Sequence, residues 1–372
     1  RPIVLWANQY YKHNSGSAID STGGRPTSTT SGAPIIIGGG AATTKAFNSV
    51  SFSAPIGNVQ ANNVMPSLTL GSSATATATM SAGIGDISIL ARGFTGSTMY
   101  ASGRTSINTT LGAINITAVT PQATYGATAM DFSGNPVEIR SVDGDILLVG
   151  DFQSSQNQSG IALGAGAVFT TGTGDVELRG QTKVGQAAVS LGSGMVGSFA
   201  GNTLLNALRG SVNLGAGRLG ADLVRLTTSS GNITILADEL VASSSSVIRS
   251  SGNLVVEPNG NDFLNGFNWA VSQSSGVLAS ARFGKTTTPS VANAKALYFQ
   301  STISAVGNVE FYAGLADFSS NARVASSQGN IKIVAKDITA GSNLSAAAGN
   351  ILLTSDTFYM GSSNSISAGI TG

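Results

Sequence analysis

Apolar and polar residues alternate in short runs along this chain, and each run follows a glycine that is paired with asparagine or aspartate. In residues 231–235 this pair precedes Ile233, Thr234 and Ile235, so Ile233 and Ile235 point to one side of a strand and Thr234 to the other. Further copies begin at Gly85, Gly144, Gly174, Gly252, Gly307, Gly329 and Gly349, with looser copies at Gly57, Gly112 and Gly210. Because both residues of the pair tolerate a positive backbone φ, the pattern predicts a tight turn followed by a short β-strand.

The spacing of the copies indicates a repeat architecture. Gly210, Gly231 and Gly252 are evenly spaced, and they share with the last three copies a period of about 20 to 22 residues, which is typical of solenoid repeats. Earlier copies are separated by about 27 to 36 residues, which predicts loops inserted into some of the units. One unit cannot bury its own apolar face, whereas stacked units align like residues in columns and bury them together.

These observations predict an all-β fold, a parallel β-helix (β-solenoid) with coils of about 20–22 residues and loop insertions. A β-propeller is the main alternative, but its blades need about 40 to 50 residues and four strands each. At about one unit per coil, the chain holds about 14 to 17 coils. We expect a single repeat domain over 1–372, a fragment of a longer protein, with irregular first coils in 1–50 and an insertion in 258–300.

The composition favours a secreted structural protein over other classes. Only 10% of the residues are charged and the net charge is +1, so the chain lacks the clustered lysine and arginine of a nucleic-acid-binding surface. The hydrophobic fraction of 41% supplies a core, which disordered chains do not have. No apolar run has the length of a membrane helix, and the absence of cysteine rules out disulfides and thiolate metal sites.

No arrangement of side chains in the sequence points to catalysis. The one histidine, His13, has no acid near it in the sequence, and a surface loop explains it better than a catalytic role. A polysaccharide-degrading β-helix would need clustered carboxylates. The acids of the repeats are Asp86, Asp145, Asp175, Glu177, Glu257 and Glu310. Aspartate alternates with asparagine at the turn positions, which favours a turn role, so we expect no enzyme, no catalytic residue and no cofactor.

A bound metal ion is also not expected. The segment 143–145, Asp-Gly-Asp, offers oxygen ligands, but calcium needs six to eight of them. The nonapeptide pattern of calcium-binding β-rolls is missing.

One aromatic cluster is a candidate contact site. The longest gap between copies of the repeat contains Phe263, Phe267 and Trp269. Exposed aromatic patches often mark contact surfaces, so these residues are the candidate for binding carbohydrate or a protein partner. The favoured interpretation is a loop packed over the flank of the solenoid, or a small satellite core.

Several segments resemble the repeats of filamentous-haemagglutinin-type exoproteins. The resemblance is carried by residues 231–240, 252–258, 283–286 and 297–309, and by the opening segments 3–8 and 35–40. It implies a right-handed parallel β-helix, export through an outer-membrane secretion partner in two-partner secretion, and a role in adhesion, aggregation or biofilm formation.

The expected function is therefore an extracellular structural and adhesive rod on a bacterial cell surface. Its expected partners are carbohydrate, a cell-surface receptor, or like molecules on neighbouring cells, with no nucleic acid and no membrane span. A self-assembling extracellular filament or sheath subunit is the main alternative, and a polysaccharide-degrading β-helix enzyme is the second.

Overall fold

The computed structural model consists of β-strands joined by turns, without a helix in the described residues. It describes residues 3–6, 11–13, 18–20, 35–37, 41–46, 50–54, 68–70, 75, 77–93, 97–121, 128–153, 159–182, 187–209, 211–214, 224–242, 244, 246–260, 263, 267–273, 277–286 and 296–369. These ranges contain no helical segment with the length and hydropathy of a membrane span.

The strands stack on three faces, and every pairing between neighbouring coils is parallel. Face 1 contains Ile3–Trp6, Val50–Ala54, Ile87–Arg92, Ile114–Thr120, Ile146–Phe152, Val176–Gln181, Thr203–Arg209, Ile233–Leu236, Asn253–Glu257, Ser280–Phe283 and Ile351–Thr354. Face 2 contains Tyr11–His13, Ile35–Ile37, Leu68–Leu70, Met99–Ala101, Met130–Phe132, Ile161–Leu163, Ala187–Leu191, Ser211–Leu214, Glu239–Ala242, Phe267–Trp269, Ala296–Phe299 and Thr357–Met360. Face 3 contains Ala18–Asp20, Ala41–Ala46, Thr77–Ala82, Arg104–Thr109, Val137–Ser141, Gly166–Thr170, Gly194–Ser198, Val224–Thr227, Val247–Arg249, Ser272–Gln273, Thr302–Ala305, Arg323–Ser326, Asn343–Ala346 and Ile366–Ala368.

Two long strands run through faces 1 and 2 without a break. These are Val309–Phe318 and Ile331–Ala340. Counting these two, face 2 holds fourteen described strands, and face 3 also holds fourteen. Fourteen coils make a rod about 60 Å long at about 4.8 Å per coil. The predicted parallel β-helix is confirmed, at the lower end of the expected number of coils.

Coil length varies along the rod, as the unequal spacing of the repeats predicted. Short coils of the predicted period join Ile233 to its partner Leu254, and Val309 to its partner Ile331. A longer coil separates Ile114 from its partner Ile146. In this coil the face 1 strand Ile114–Thr120 is followed by the face 2 strand Met130–Phe132.

Of the repeat copies predicted from glycine spacing, Gly57 and Gly210 lie outside the described residues, and the other nine each precede a face 1 strand. The strand after Gly210, Ser211–Leu214, lies on face 2, where Val212 pairs with Leu240. The coil instead opens at Gly201, before the strand Thr203–Arg209. A coil without a glycine also opens at Ser280, which pairs with Asn253.

Residues 258–300, the expected insertion, contain regular strands of the array. Phe267–Trp269 and Ala296–Phe299 pair with each other on face 2. Ser280–Phe283 on face 1 pairs with the coil before it and the coil after it. The described strands in this stretch therefore belong to the coils on faces 1 and 2, whereas on face 3 a ten-stranded sheet ends at Ser272–Gln273 and a separate four-stranded sheet begins at Thr302–Ala305.

The core is a set of apolar columns that run along the rod axis. Alternate residues of each strand point inward, so that the strand Ile146–Phe152 buries every second side chain. The inward position at the start of face 1 is buried in each coil from Ile87 to Ile331. Its occupants are Ile87, Ile114, Ile146, Val176, Thr203, Ile233, Leu254, Ala281, Val309 and Ile331. Each aliphatic member contributes about 1.5 to 3 kcal/mol by burial.

Candidate contact site

The candidate aromatic contact residues lie inside the rod. Phe263, Phe267 and Trp269 are at most 1% exposed, and Phe267 and Trp269 are inward-facing residues of a face 2 strand. They therefore form no exposed aromatic patch, and their burial agrees with the favoured interpretation of a packed cluster. Their spacing of two residues is the inward period of a β-strand, and the burial of these large rings stabilises the core.

These residues begin a stack of aromatic rings that continues into the following coils. Phe283 stacks on Phe311 with ring centroids 5.1 Å apart, and Trp269 meets Phe283 edge-on at 4.9 Å. Phe299 and Phe318 extend the stack from face 2. Edge-to-face and stacked pairs at these distances add stability beyond the burial of their area.

The turn between face 3 and face 1 of the next coil, here called the glycine corner, carries a ladder of side-chain amides and carboxylates. Each side-chain oxygen accepts a hydrogen bond from the backbone N–H of the equivalent residue in the next coil. Asn202 accepts in this way from Asn232 at 3.0 Å, and Asn232 accepts from Asn253 at 2.9 Å. Asp86, Asp145, Asp175, Asn308 and Asn330 make the same bond.

A column of buried hydroxyl groups supports the same corner from inside. The Thr228 hydroxyl accepts from the N–H of Gly231 at 2.9 Å and donates to the carbonyl of Gly201 in the preceding coil, also at 2.9 Å. Thr109, Ser141, Ser198, Ser250 and Ser326 bridge the two coils in the same way. Buried polar groups of the corner are satisfied by these bonds.

Removing one side chain of the ladder is expected to lower the free energy of unfolding measurably. Replacing Asn232 with alanine removes an acceptor for the N–H and the side-chain amide of Asn253, and a donor to Asn202. We expect the free energy of unfolding to fall by about 1 kcal/mol, measured by urea unfolding followed by circular dichroism. Asn115→Ala is the control, because Asn115 is exposed on the outer side of a face 1 strand. Equal losses in both variants would contradict a role for the ladder.

The acidic residues of the repeats have structural partners. Asp145 and Asp175 accept backbone N–H groups at the glycine corner, as the turn interpretation predicted. Glu177 pairs with Arg179 at 2.7 Å, and Glu257 pairs with Arg282 at 2.5 Å. Within the described ranges, no group of three or more His, Asp or Glu side chains is placed to hold a metal ion.

An apolar patch that was not predicted from the sequence lies on the outside of the glycine corner. Ile84, Leu111 and Val142 occupy three successive coils there, and each has at least 41% of its side chain exposed. Phe199 lies at the same corner two coils further along and is 57% exposed. We call these four residues the corner patch. Exposed apolar residues in a row on successive coils are typical of a contact surface.

Comparison with known proteins identifies no relative. No family model matches the chain, and no curated protein or solved structure matches it. The resemblance to filamentous-haemagglutinin-type exoproteins therefore remains a prediction.

Proposed function

We propose that this chain is a non-enzymatic, extracellular structural and adhesive rod of a bacterial surface exoprotein. It mediates contact with a cell surface, or between cells, in adhesion, aggregation or biofilm formation. Its partners are carbohydrate, a cell-surface receptor or like molecules on neighbouring cells. An outer-membrane secretion partner would export the parent protein.

The observation that carries the proposal is the parallel stacking of coils, which is continuous over the described strands of faces 1 and 2. Backbone hydrogen bonds between strands, the amide ladder and the hydroxyl column all run along one axis. A solenoid with such continuous bonding resists bending and holds its outer surface at a fixed distance from its base. The corner patch supplies exposed apolar side chains on that surface.

A binding experiment tests the adhesive role. Beads coated with the folded chain are incubated with cells of the producing species and, separately, with an array of glycans. We expect retention of cells or of a defined glycan class by the folded chain, and no retention by the heat-unfolded chain. A folded chain that retains neither would contradict adhesion by this segment.

A pair of double variants locates the contact surface. Leu111→Ser with Val142→Ser alters the corner patch, whereas Leu90→Ser with Leu208→Ser alters exposed leucines on face 1. Because both pairs remove similar exposed apolar area, a loss of non-specific hydrophobic binding would affect both variants equally. We expect only the corner-patch variant to lose binding.

A further inference from the structure

The sheet pairing between successive coils is interrupted at one boundary on face 3. Among the described strands, a ten-stranded sheet ends at Ser272–Gln273 and a four-stranded sheet begins at Thr302–Ala305 in the next coil. Face 1 continues across the same boundary, because Asn253–Glu257 pairs with Ser280–Phe283. Face 2 of the same two coils is also paired. The two coils are therefore joined by a continuous sheet on two faces and not on the third.

A side chain bonds to the strand edge at this interruption. The Gln273 Nε2 donates to the Ser304 backbone oxygen at 3.0 Å, and the Gln273 Oε1 accepts from the Ser304 backbone N–H at 2.7 Å. In a regular parallel sheet, backbone groups of the neighbouring strand make these two bonds. Close to the glycine corner, one isolated bridge joins Leu278 to Ala305. By contrast, Thr302–Ala305 pairs along its whole length with the following coil.

The opposite side of the rod is joined more firmly at the same boundary. On the outside of face 1, Arg282 of the second coil forms an ion pair with Glu257 of the first coil at 2.5 Å. At the corner between faces 1 and 2, the Lys285 ammonium donates to the backbone oxygens of Asn259 at 2.9 Å and Gly260 at 2.7 Å. Both contacts add to the sheet pairing of faces 1 and 2.

The core at this boundary is held together by rings from faces 1 and 2. Trp269 of the first coil meets Phe283 edge-on at 4.9 Å and stacks on Phe299 at 6.5 Å, and both phenylalanines belong to the second coil. The inward residues of the face 3 strand are the smaller Ile303 and Ala305. A separation of the coils on face 3 therefore leaves the aromatic contacts in place.

We propose that this boundary is a joint of the rod, at which face 3 opens while faces 1 and 2 act as the hinge. The Gln273 side chain is the latch of this joint, because it holds Ser304 across the boundary. Opening on one face tilts the two arms of the rod about the other two faces. Such a local opening needs less free energy than separating the continuous strands on either side. The proposal does not depend on the adhesive role, because it concerns only the stacking of the coils.

Native-state hydrogen exchange of the full chain, followed at single backbone amides by NMR, tests the joint. Ser304 is compared with Ala325, its partner in the fully paired strand of the next coil. After correction for the intrinsic exchange rate of each residue, we expect the Ser304 amide to exchange at least about tenfold faster than the Ala325 amide. Equal corrected rates would show that face 3 does not open here and would overturn the proposal.

A glutamine variant tests the latch. Gln273→Ala removes both bonds to Ser304, so we expect exchange at Ser304 to become faster by about tenfold while Ala325 stays unchanged. Gln328→Ala is the control, because Gln328 is an exposed glutamine at the glycine corner of the next coil, and we expect it to alter neither rate. An unchanged rate at Ser304 in Gln273→Ala, or an equal increase at Ser304 and Ala325, overturns the role of Gln273.

A disulfide across the boundary tests whether opening on face 3 causes the fast exchange. The chain has no cysteine, so Leu278→Cys with Ala305→Cys introduces a single pair at the isolated bridge. The Cα atoms of paired strand residues lie about 5 Å apart, within the range of a disulfide. We expect oxidation to slow exchange at Ser304 at least about tenfold relative to the reduced form of the same variant. An unchanged rate after oxidation, with the disulfide verified by intact mass, overturns the joint.

Discussion

Replacing Gly231 with alanine is expected to lower the free energy of unfolding by more than about 3 kcal/mol. A Cβ at this position would lie 1.9 Å from the carbonyl oxygen of Gly201 and 2.4 Å from its carbonyl carbon. Both atoms belong to the backbone of the preceding coil and cannot move aside as a side chain can. The two coils would have to separate, which strains the Thr228 bridge and the Asn202–Asn232 bond at the same corner. Urea unfolding followed by circular dichroism measures the loss.

Gly134→Ala is the matched control for this prediction. The nearest atom to a Cβ at Gly134 is the Tyr100 hydroxyl oxygen at 3.9 Å, an ordinary contact, and Gly134 is exposed. We expect its effect to stay within about 0.5 kcal/mol. If both variants unfolded at the same urea concentration, close approach of the coils would not be the reason for glycine at the corner.

The sequence located the glycine corner but suggested a different reason for it. The predicted reason was a positive φ at Gly-Asn and Gly-Asp turns. Among the described residues, only Gly166, Gly194 and Gly284 have a positive φ, and none of them belongs to the corner. The corner glycines stack backbone on backbone, as Gly231 does on Gly201. This requirement arises from the contact between two coils, so no property of a single turn reveals it.

The residues of the hydroxyl column follow a regular pattern in the sequence, but this pattern was not among the predictions. A serine or threonine precedes the glycine by three residues at Thr109, Ser141, Ser198, Thr228 and Ser326, and by two at Ser250. Serine and threonine are so frequent in this chain that the regular positions do not stand out. Their role becomes clear only when the next coil supplies the carbonyl that each hydroxyl bonds.

The sequence did not predict that the aromatic residues belong to regular coils, for a related reason. Between Gly252 and Gly307 the one glycine followed by asparagine, Gly260, is not followed by alternating aliphatic residues, so this stretch was predicted to hold an insertion. The coil there opens with Ser280, whose hydroxyl donates to Asn253 at 2.7 Å. Serine thus continues the ladder without the glycine and asparagine that mark the other coils. The strands of these coils bury Phe267, Trp269 and Phe283.

Replacing Phe283 with alanine is expected to cost about 3 to 5 kcal/mol, because it leaves a cavity at the centre of the aromatic stack. The Phe283 ring is fully buried and contacts Trp269, Phe299 and Phe311 at centroid distances of 4.9, 5.3 and 5.1 Å. Its removal takes contacts from three neighbouring rings that belong to three different strands. The free energy of unfolding in urea measures the loss, and near-ultraviolet circular dichroism reports whether the remaining rings stay ordered.

Tyr298→Ala removes an aromatic ring of similar size from the neighbouring coil and serves as the control. Tyr298 points outward from the strand Ala296–Phe299 and is 42% exposed, so we expect a loss below about 1 kcal/mol. A large loss for Phe283→Ala beside a small one for Tyr298→Ala places the stabilising role of the aromatic residues inside the rod. The reverse order would contradict a stabilising role for the buried aromatic stack.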